Sequence, residues 1–271
     1  MAWLMSSFLF FKIFRIISIN WRGMEKIKIG FTNESFFTGQ TFYQIKKYNG
    51  FNHKIDYQIL ANLDFVPKLI SNTKKDIEWE WIDSKEITFT PEQLKEIAHN
   101  FLTLHNSGLN FPKSNHAARV KEYRKILKNK NVNIDVLNKY YCRINTILAN
   151  SENNRPLHND LYKGNLLLNK KTNKIMFIDW EYASMGDKHF DLAYFICGSF
   201  LTKEQEKIFL QAYDSYWHEY LIQQKILVYY LTILWIHSQE TIPFSDEYCI
   251  KMLEETIKEY DYLKQNNLFR R

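Results

Sequence analysis

The chain has 271 residues, 45% hydrophobic and 16% aromatic, long enough for one large domain or two lobes with a substantial core. Its net charge of +6 comes from scattered lysines with no long cluster and no interleaved aromatics, which argues against a nucleic-acid surface and fits a solvated, lysine-rich exterior. The three cysteines, Cys142, Cys197 and Cys249, are far apart and form no C-x-x-C, so free thiols in a reducing cytoplasm are expected rather than a disulfide frame or a zinc site.

Residues 1–23 are apolar but interrupted by Lys12 and Arg15. The stretch is too short and too charged for a membrane span, and it lacks the basic start and cleavage site of a signal peptide. An interfacial helix is one reading. A second is that Asn20-Trp21-Arg22-Gly23 back-translates to a purine-rich, G-rich run, so that translation is expected to start at Met24. Intact mass from the native host would refute this if it included residues 1–23. The expected organisation is this doubtful extension, a first lobe over residues 24–83 and a second over 84–271.

Lys26 to Ile29 alternates as a strand, and Gly30-Phe31-Thr32-Asn33-Glu34-Ser35 forms a turn. Phe36-Phe37 and Thr41–Tyr48 follow as strands joined at Gly39-Gln40. His53 to Leu63 reads as a helix with Ile55, Ile59, Leu60 and Leu63 on one face. Asp64–Ile70 leads into another strand, and Ile77–Asp83 reads as the last strand of the lobe with its exit. Trp79 and Trp81 are expected in the core. Thr90-Pro91-Glu92-Gln93 carries a capping box with proline at the first helical position, and the helix stops at Gly108. His105, near its end, is expected to be packed rather than catalytic. Ala117–Lys130 and Asn133–Ala149 are two further helical patterns.

Next come two short apolar runs, Leu166–Leu168 and Ile175–Ile178, around the polar turn Asn169–Lys174. This reads as a β-hairpin in which Leu168 pairs near Ile175, bringing Asn165 beside Ile178 and Asp179. Asp160 lies on the loop feeding the first strand. An Asp and an Asn amide oxygen are hard ligands suited to Mg²⁺, which takes its other ligands from substrate phosphates and water. A further Asp can accept the proton of an attacking hydroxyl. Asp, Asn five residues on, and a metal Asp on the next strand is the phosphoryl-transfer layout of kinases. Beyond the hairpin, Asp191 opens a helix, and helices over Lys203–Tyr220, Gln223–His237 and Asp246–Leu263 complete the chain.

The loop His158-Asn159-Asp160, then Gly164-Asn165, then Ile178-Asp179-Trp180-Glu181-Tyr182, then Phe190-Asp191-Leu192-Ala193 resembles the choline/ethanolamine kinase family, within the wider aminoglycoside-phosphotransferase-like group. The resemblance runs from Lys26 to about Tyr262 and is strongest over residues 158–192. It implies an α+β, two-lobed protein-kinase-like fold, with a small antiparallel-sheet N-lobe and a large, mainly helical C-lobe.

The resemblance also implies roles. Asp160 takes the hydroxyl proton, and Asn165 and Asp179 hold Mg²⁺ on the phosphates of ATP, the co-substrate. Gly30, Thr32 and Asn33 lie in the loop over those phosphates. Lys46, rather than Lys47, supplies the phosphate-binding cation, with Asp56 the nearest carboxylate to pair with it. Glu80 and Ile82 offer hinge backbone to adenine. His158 and Asp191 are structural, Asp191 bracing the catalytic loop. The acceptor is expected to be a small amino alcohol, with choline ahead of ethanolamine or thiamine. Glu181, Tyr182 and Trp235 are the substrate candidates, since aromatic rings hold a quaternary ammonium by cation–π attraction. Two departures bear on that cage: Thr232 stands where the family has a first tryptophan, and Gly198 where it tends to have an acid. An aminoglycoside phosphotransferase and a nucleotide-binding pseudokinase are the alternatives of other kinds; the latter would be expected to lack one of Asp160, Asn165 and Asp179. No nucleic-acid partner and no stable membrane span are expected, and the enzyme is expected in the cytoplasm.

Overall fold

The computed structural model describes residues 24–27 and 33–269. Gly30, Thr32 and the leading stretch of residues 1–23 lie outside the described residues. The chain forms two units, the first made of the described residues up to Gly50 with Tyr57–Asp83, the second of Phe51–Asp56 with everything from Ser84 onward.

The first unit is an antiparallel sheet of β1 (Glu25–Ile27), β2 (Glu34–Phe37), β3 (Thr41–Ile45), β4 (Leu69–Asn72) and β5 (Asp76–Glu80), in the order β1-β2-β3-β5-β4. The β2–β3 turn works because Gly39 takes φ of 93°, open to glycine, while the Thr41 amide donates to Thr38 Oγ1 at 3.0 Å. Phe36 pairs with Tyr43, and Ile77 opposite Gln44 is almost fully buried, so alternation sets the core face. Trp79 and Trp81, expected in the core, are half-buried and pack at its margin: Trp79 meets the edge of Tyr57 at 5.8 Å, and Trp81 lies 4.3 Å from the ring of Phe37.

The helix expected over His53–Leu63 is shorter than its apolar pattern suggested. Only Tyr57–Asn62 coils, as a 3₁₀ turn. His53 takes φ of 53°, which breaks a helix there, and Asn52 and His53 are drawn into hydrogen bonds of the second unit.

In the second unit, β6 (Ser84–Lys85) precedes α1 (Pro91–Asn106), α2 (His116–Asn129), α3 (Asp135–Lys139) and α4 (Tyr141–Asn150). Then come β7 (Arg155–Leu157), β8 (Leu166–Asn169), β9 (Ile175–Phe177), β10 (Ser184–Gly186), α5 (Lys188–Gly198), α6 (Lys203–Tyr213), α7 (His218–Ser238) and α8 (Glu247–Gln265). β6, β8 and β9 form one sheet and β7 pairs with β10. The capping box of α1 is formed, with Thr90 and Gln93 satisfying each other's backbone amides. The helix expected over Asn133–Ala149 is two helices, and the one expected over Lys203–Tyr220 ends at Asp214, whose φ of 58° turns the chain out. α7 is apolar on every face and buried along most of its length, packed among α2, α4, α5 and α8. Among the described residues no helix is long and apolar enough to cross a membrane.

Candidate active site

The β8–β9 hairpin has the register expected of it, Leu168 opposite Ile175 and Leu166 opposite Phe177. The Ile178 amide donates to the Asn165 carbonyl at 3.1 Å, which ties the start of one strand to the end of the other. Asp179 follows directly, in the left-handed conformation at φ 65°, ψ 59°. A non-glycine residue held there signals local constraint at a site. Asn165 donates from Nδ2 to the Asp160 carbonyl at 2.8 Å and to Asp160 Oδ2 at 3.3 Å. Its amide oxygen is therefore the atom left for a cation.

Burial, above all, pushes the Asp160 carboxyl up to about 7; Glu181 adds to the rise, while Tyr194, Arg119 and Asn165 oppose it. Asp179 is raised well above the usual carboxylate range, by burial first and then by the charges of Glu181 and Asp160. Both residues nonetheless keep part of their surface open to solvent. Two carboxylates that feel each other and a third across a poorly solvated patch are short of positive charge, which a hard dication would supply. Among the described residues no cluster of three or more His, Cys, Asp or Glu forms a metal cage.

Below this face lies a brace. Asp191, fully buried on α5, accepts from the amides of His158 at 2.8 Å and Asn159 at 2.7 Å, and from His105 Nε2 at 3.2 Å. His105 in turn accepts from the Tyr213 hydroxyl at 2.8 Å. His158 donates from Nε2 to the Ile178 carbonyl at 2.9 Å, and its ring lies 4.5 Å from that of Trp180. Burial drives its pKa down to about 4, so it is neutral, with Nδ1 lacking a hydrogen-bond partner. Asn159, at φ 66°, donates to the Tyr182 carbonyl and Ser184 Oγ and accepts from His116 Nε2 at 3.0 Å.

The other expected residues fall in several places. Glu181 is buried; its Oε2 accepts from Asn52 Nδ2 at 2.9 Å and lies 3.1 Å from His53 Nε2, while its carbonyl accepts from the His53 amide at 2.7 Å. It is thus engaged by the protein itself, although its charge reaches Asp160 and Asp179. Tyr182 is buried, and the Arg119 guanidinium sits over its ring, 4.9 Å from the centroid. Trp235, half-buried on α7, lies 6.1 Å from the ring of Phe244.

Within the sheet unit, Lys46 stands just past β3 and donates to Asn72 Oδ1 at 2.5 Å and the Thr73 carbonyl at 2.6 Å. Its charge acts with Asp76. Asn33 Oδ1 accepts from the Lys47 amide at 2.9 Å. Glu80 donates its amide to the Lys68 carbonyl at 2.8 Å, and Ile82 is buried.

Sequence reasoning missed Tyr194, Arg119 and Tyr162. The Tyr194 hydroxyl donates to Asp160 Oδ1 at 2.5 Å. Burial raises the Tyr162 phenol, and the charges of Asp160 and Asp179 raise it further, which marks it as their neighbour. One signal was available: Tyr194 follows Asp191 by three residues, so the two share a helix face.

A model of choline/ethanolamine kinases matches residues 44–267. A LicA homolog of Metamycoplasma hominis is 46% identical over 243 residues, covering 87% of this chain and 97% of that protein. A LicA homolog of Mycoplasma capricolum subsp. capricolum is 46% identical over 220 residues, covering 81% and 92%. In fold, the chain is similar to the choline kinase LicA from Streptococcus pneumoniae, with a TM-score of 0.68 at 21% identity over 87% of this chain and 92% of that one. It is also similar to the ADP-bound aminoglycoside phosphotransferase APH(2'')-Ib, with a TM-score of 0.54 at 16% identity over 89% and 93%.

Proposed function

The chain belongs to the choline/ethanolamine kinase family and is an ATP-dependent phosphotransferase with a kinase-like fold, and from that premise we propose that its acceptor is choline. The observation that supports a transfer site over a bare nucleotide-binding shell is the set of Asp160, Asn165 and Asp179 at one end of one hairpin, the residues a pseudokinase would be expected to lose.

In this reading Asp160 orients the acceptor hydroxyl and takes its proton. Its raised pKa makes it a competent acceptor near neutral pH. Asn165 Oδ1 and Asp179 would hold Mg²⁺, which supplies charge for the phosphates when bound. Lys46 is assigned to the nucleotide phosphates and would exchange Asn72 and Thr73 for them. Positioning and charge stabilisation carry most of the rate, because phosphoryl transfer asks little covalent chemistry of the protein.

Ethanolamine is the second reading, and the placement of Arg119 over Tyr182 favours it. With that ring face taken by the protein's own cation, the aromatic cage for a trimethylammonium loses a wall. The test is ADP release from Mg-ATP with choline, ethanolamine, thiamine and an aminoglycoside. The highest kcat/KM is expected with choline; a preference for the aminoglycoside would reject the amino-alcohol reading. Asp160→Asn is expected to lose turnover by orders of magnitude while still binding ATP, and near-normal turnover would remove its assigned role.

A further inference from the structure

We propose that Tyr194 is a positioning residue for phosphoryl transfer: its hydroxyl holds one oxygen of Asp160 and so presents the other to the acceptor. The inference rests on the reading of Asp160 given above and assigns a part to a side chain outside the Asp-Asn-Asp set.

Tyr194 stands one turn beyond Asp191 on α5, and both side chains face the catalytic loop. Asp191 secures the backbone of His158 and Asn159. Tyr194 reaches the next residue along and donates to Oδ1 of its carboxylate. One helix face thus fixes both the path of the loop and the orientation of its acid. The ring itself is set by Phe190, at 5.9 Å, and by Gly198, where an added Cβ would lie 3.7 Å from Tyr194 Cε1 and 3.2 Å from Tyr162 Cβ.

The remaining contacts of Asp160 leave this role open. Asn165 makes its shorter bond to the Asp160 carbonyl, and its approach to Oδ2 at 3.3 Å is long for an N–H···O bond. The terminal torsion of an Asp side chain is broad, so a carboxylate anchored by that contact alone would swing. With Oδ1 secured by the phenol, Oδ2 keeps lone pairs for the acceptor hydroxyl. A neutral donor also suits the task. A cation on Oδ1 would weaken the oxygen as a base, whereas burial and the charge of Asp160 keep the Tyr194 phenol protonated.

Tyr194→Phe removes one oxygen and keeps the ring. With choline and with ethanolamine as acceptors, kcat is expected to fall about tenfold to a hundredfold while KM for ATP moves less than about twofold, since misorientation acts on the transfer step. The urea midpoint should match the parent. In an Asp160→Asn background, followed in single-turnover assays with radiolabelled ATP, loss of the phenol is expected to change the rate less than about twofold, because its partner is already disabled. Unchanged kcat in Tyr194→Phe, or equal fractional losses in both backgrounds, overturns the inference and leaves the phosphotransfer reading standing. Near-parental turnover in Asp160→Asn, or no ADP with either acceptor, overturns that reading and the inference with it.

Discussion

His116 and His158 are held neutral beneath the catalytic loop, burial driving the first down to about 3 and the second down to about 4. In the unfolded chain each titrates near its ordinary value of about 6.5. Below that pH the unfolded state binds protons the folded state refuses, so this share of stability is full above pH 6.5 and is lost as pH falls toward 4. At pH 5 the loss is on the order of 2 kcal/mol for each histidine. Urea midpoints measured from pH 7 to pH 5 are expected to fall, and His116→Gln, which keeps a donor for Asn159, to flatten the slope; a level parental profile would contradict the burial argument. Asp160, Asn165 and Asp179 could be found from sequence because they lie within twenty residues and a hairpin register relates them. Spacing alone puts Tyr194 on the helix face of Asp191, but its partner on the loop, like that of His116, lies 34 or 43 positions away, where no local pattern encodes the approach.

Among the elements, α5 carries the loop and α1 packs beside it, and each makes a separate expectation. Asp191→Asn places an amide NH₂ where an acceptor meets backbone donors, leaving a buried N–H unpaired. It should cost about 2–4 kcal/mol in denaturant unfolding and lower kcat as well. Thr90→Ala removes only the α1 cap and should cost about 1 kcal/mol with kcat unchanged, which separates a structural loss from a catalytic one. That cap was plain in the sequence, since proline, threonine and glutamine fall at fixed offsets. The ends of other helices were not. Asp214 and His53 adopt positive φ without being glycine, and the break between α3 and α4 at Tyr140 has no proline or glycine to announce it. The aromatic residues of the C-terminal helices were similarly ambiguous: Tyr213 and Tyr230 are core residues whose hydroxyls bond His105 and the Leu137 carbonyl.

At the scale of the molecule, the division of the chain into two units does not follow one cut in the sequence. Phe51–Asp56 belongs with the helical unit although sheet residues flank it on both sides. Asn52 is buried there against Glu181, and the Phe51 carbonyl accepts from Asn115 Nδ2 at 2.9 Å. Asn52→Ala should therefore cost about 1–3 kcal/mol and speed hydrogen exchange across residues 51–56, far more than expected for an ordinary connector. Unaltered exchange in that variant would mean the segment is held by other means. A fragment begun at Ser84 would lack this six-residue splint, and with it two groups that steady the acid beside Asp179. The helical body is thus not a severable module, and any exchange of the sheet as a cassette between related chains would have to bring Asn52 and His53 along or find new company for Glu181.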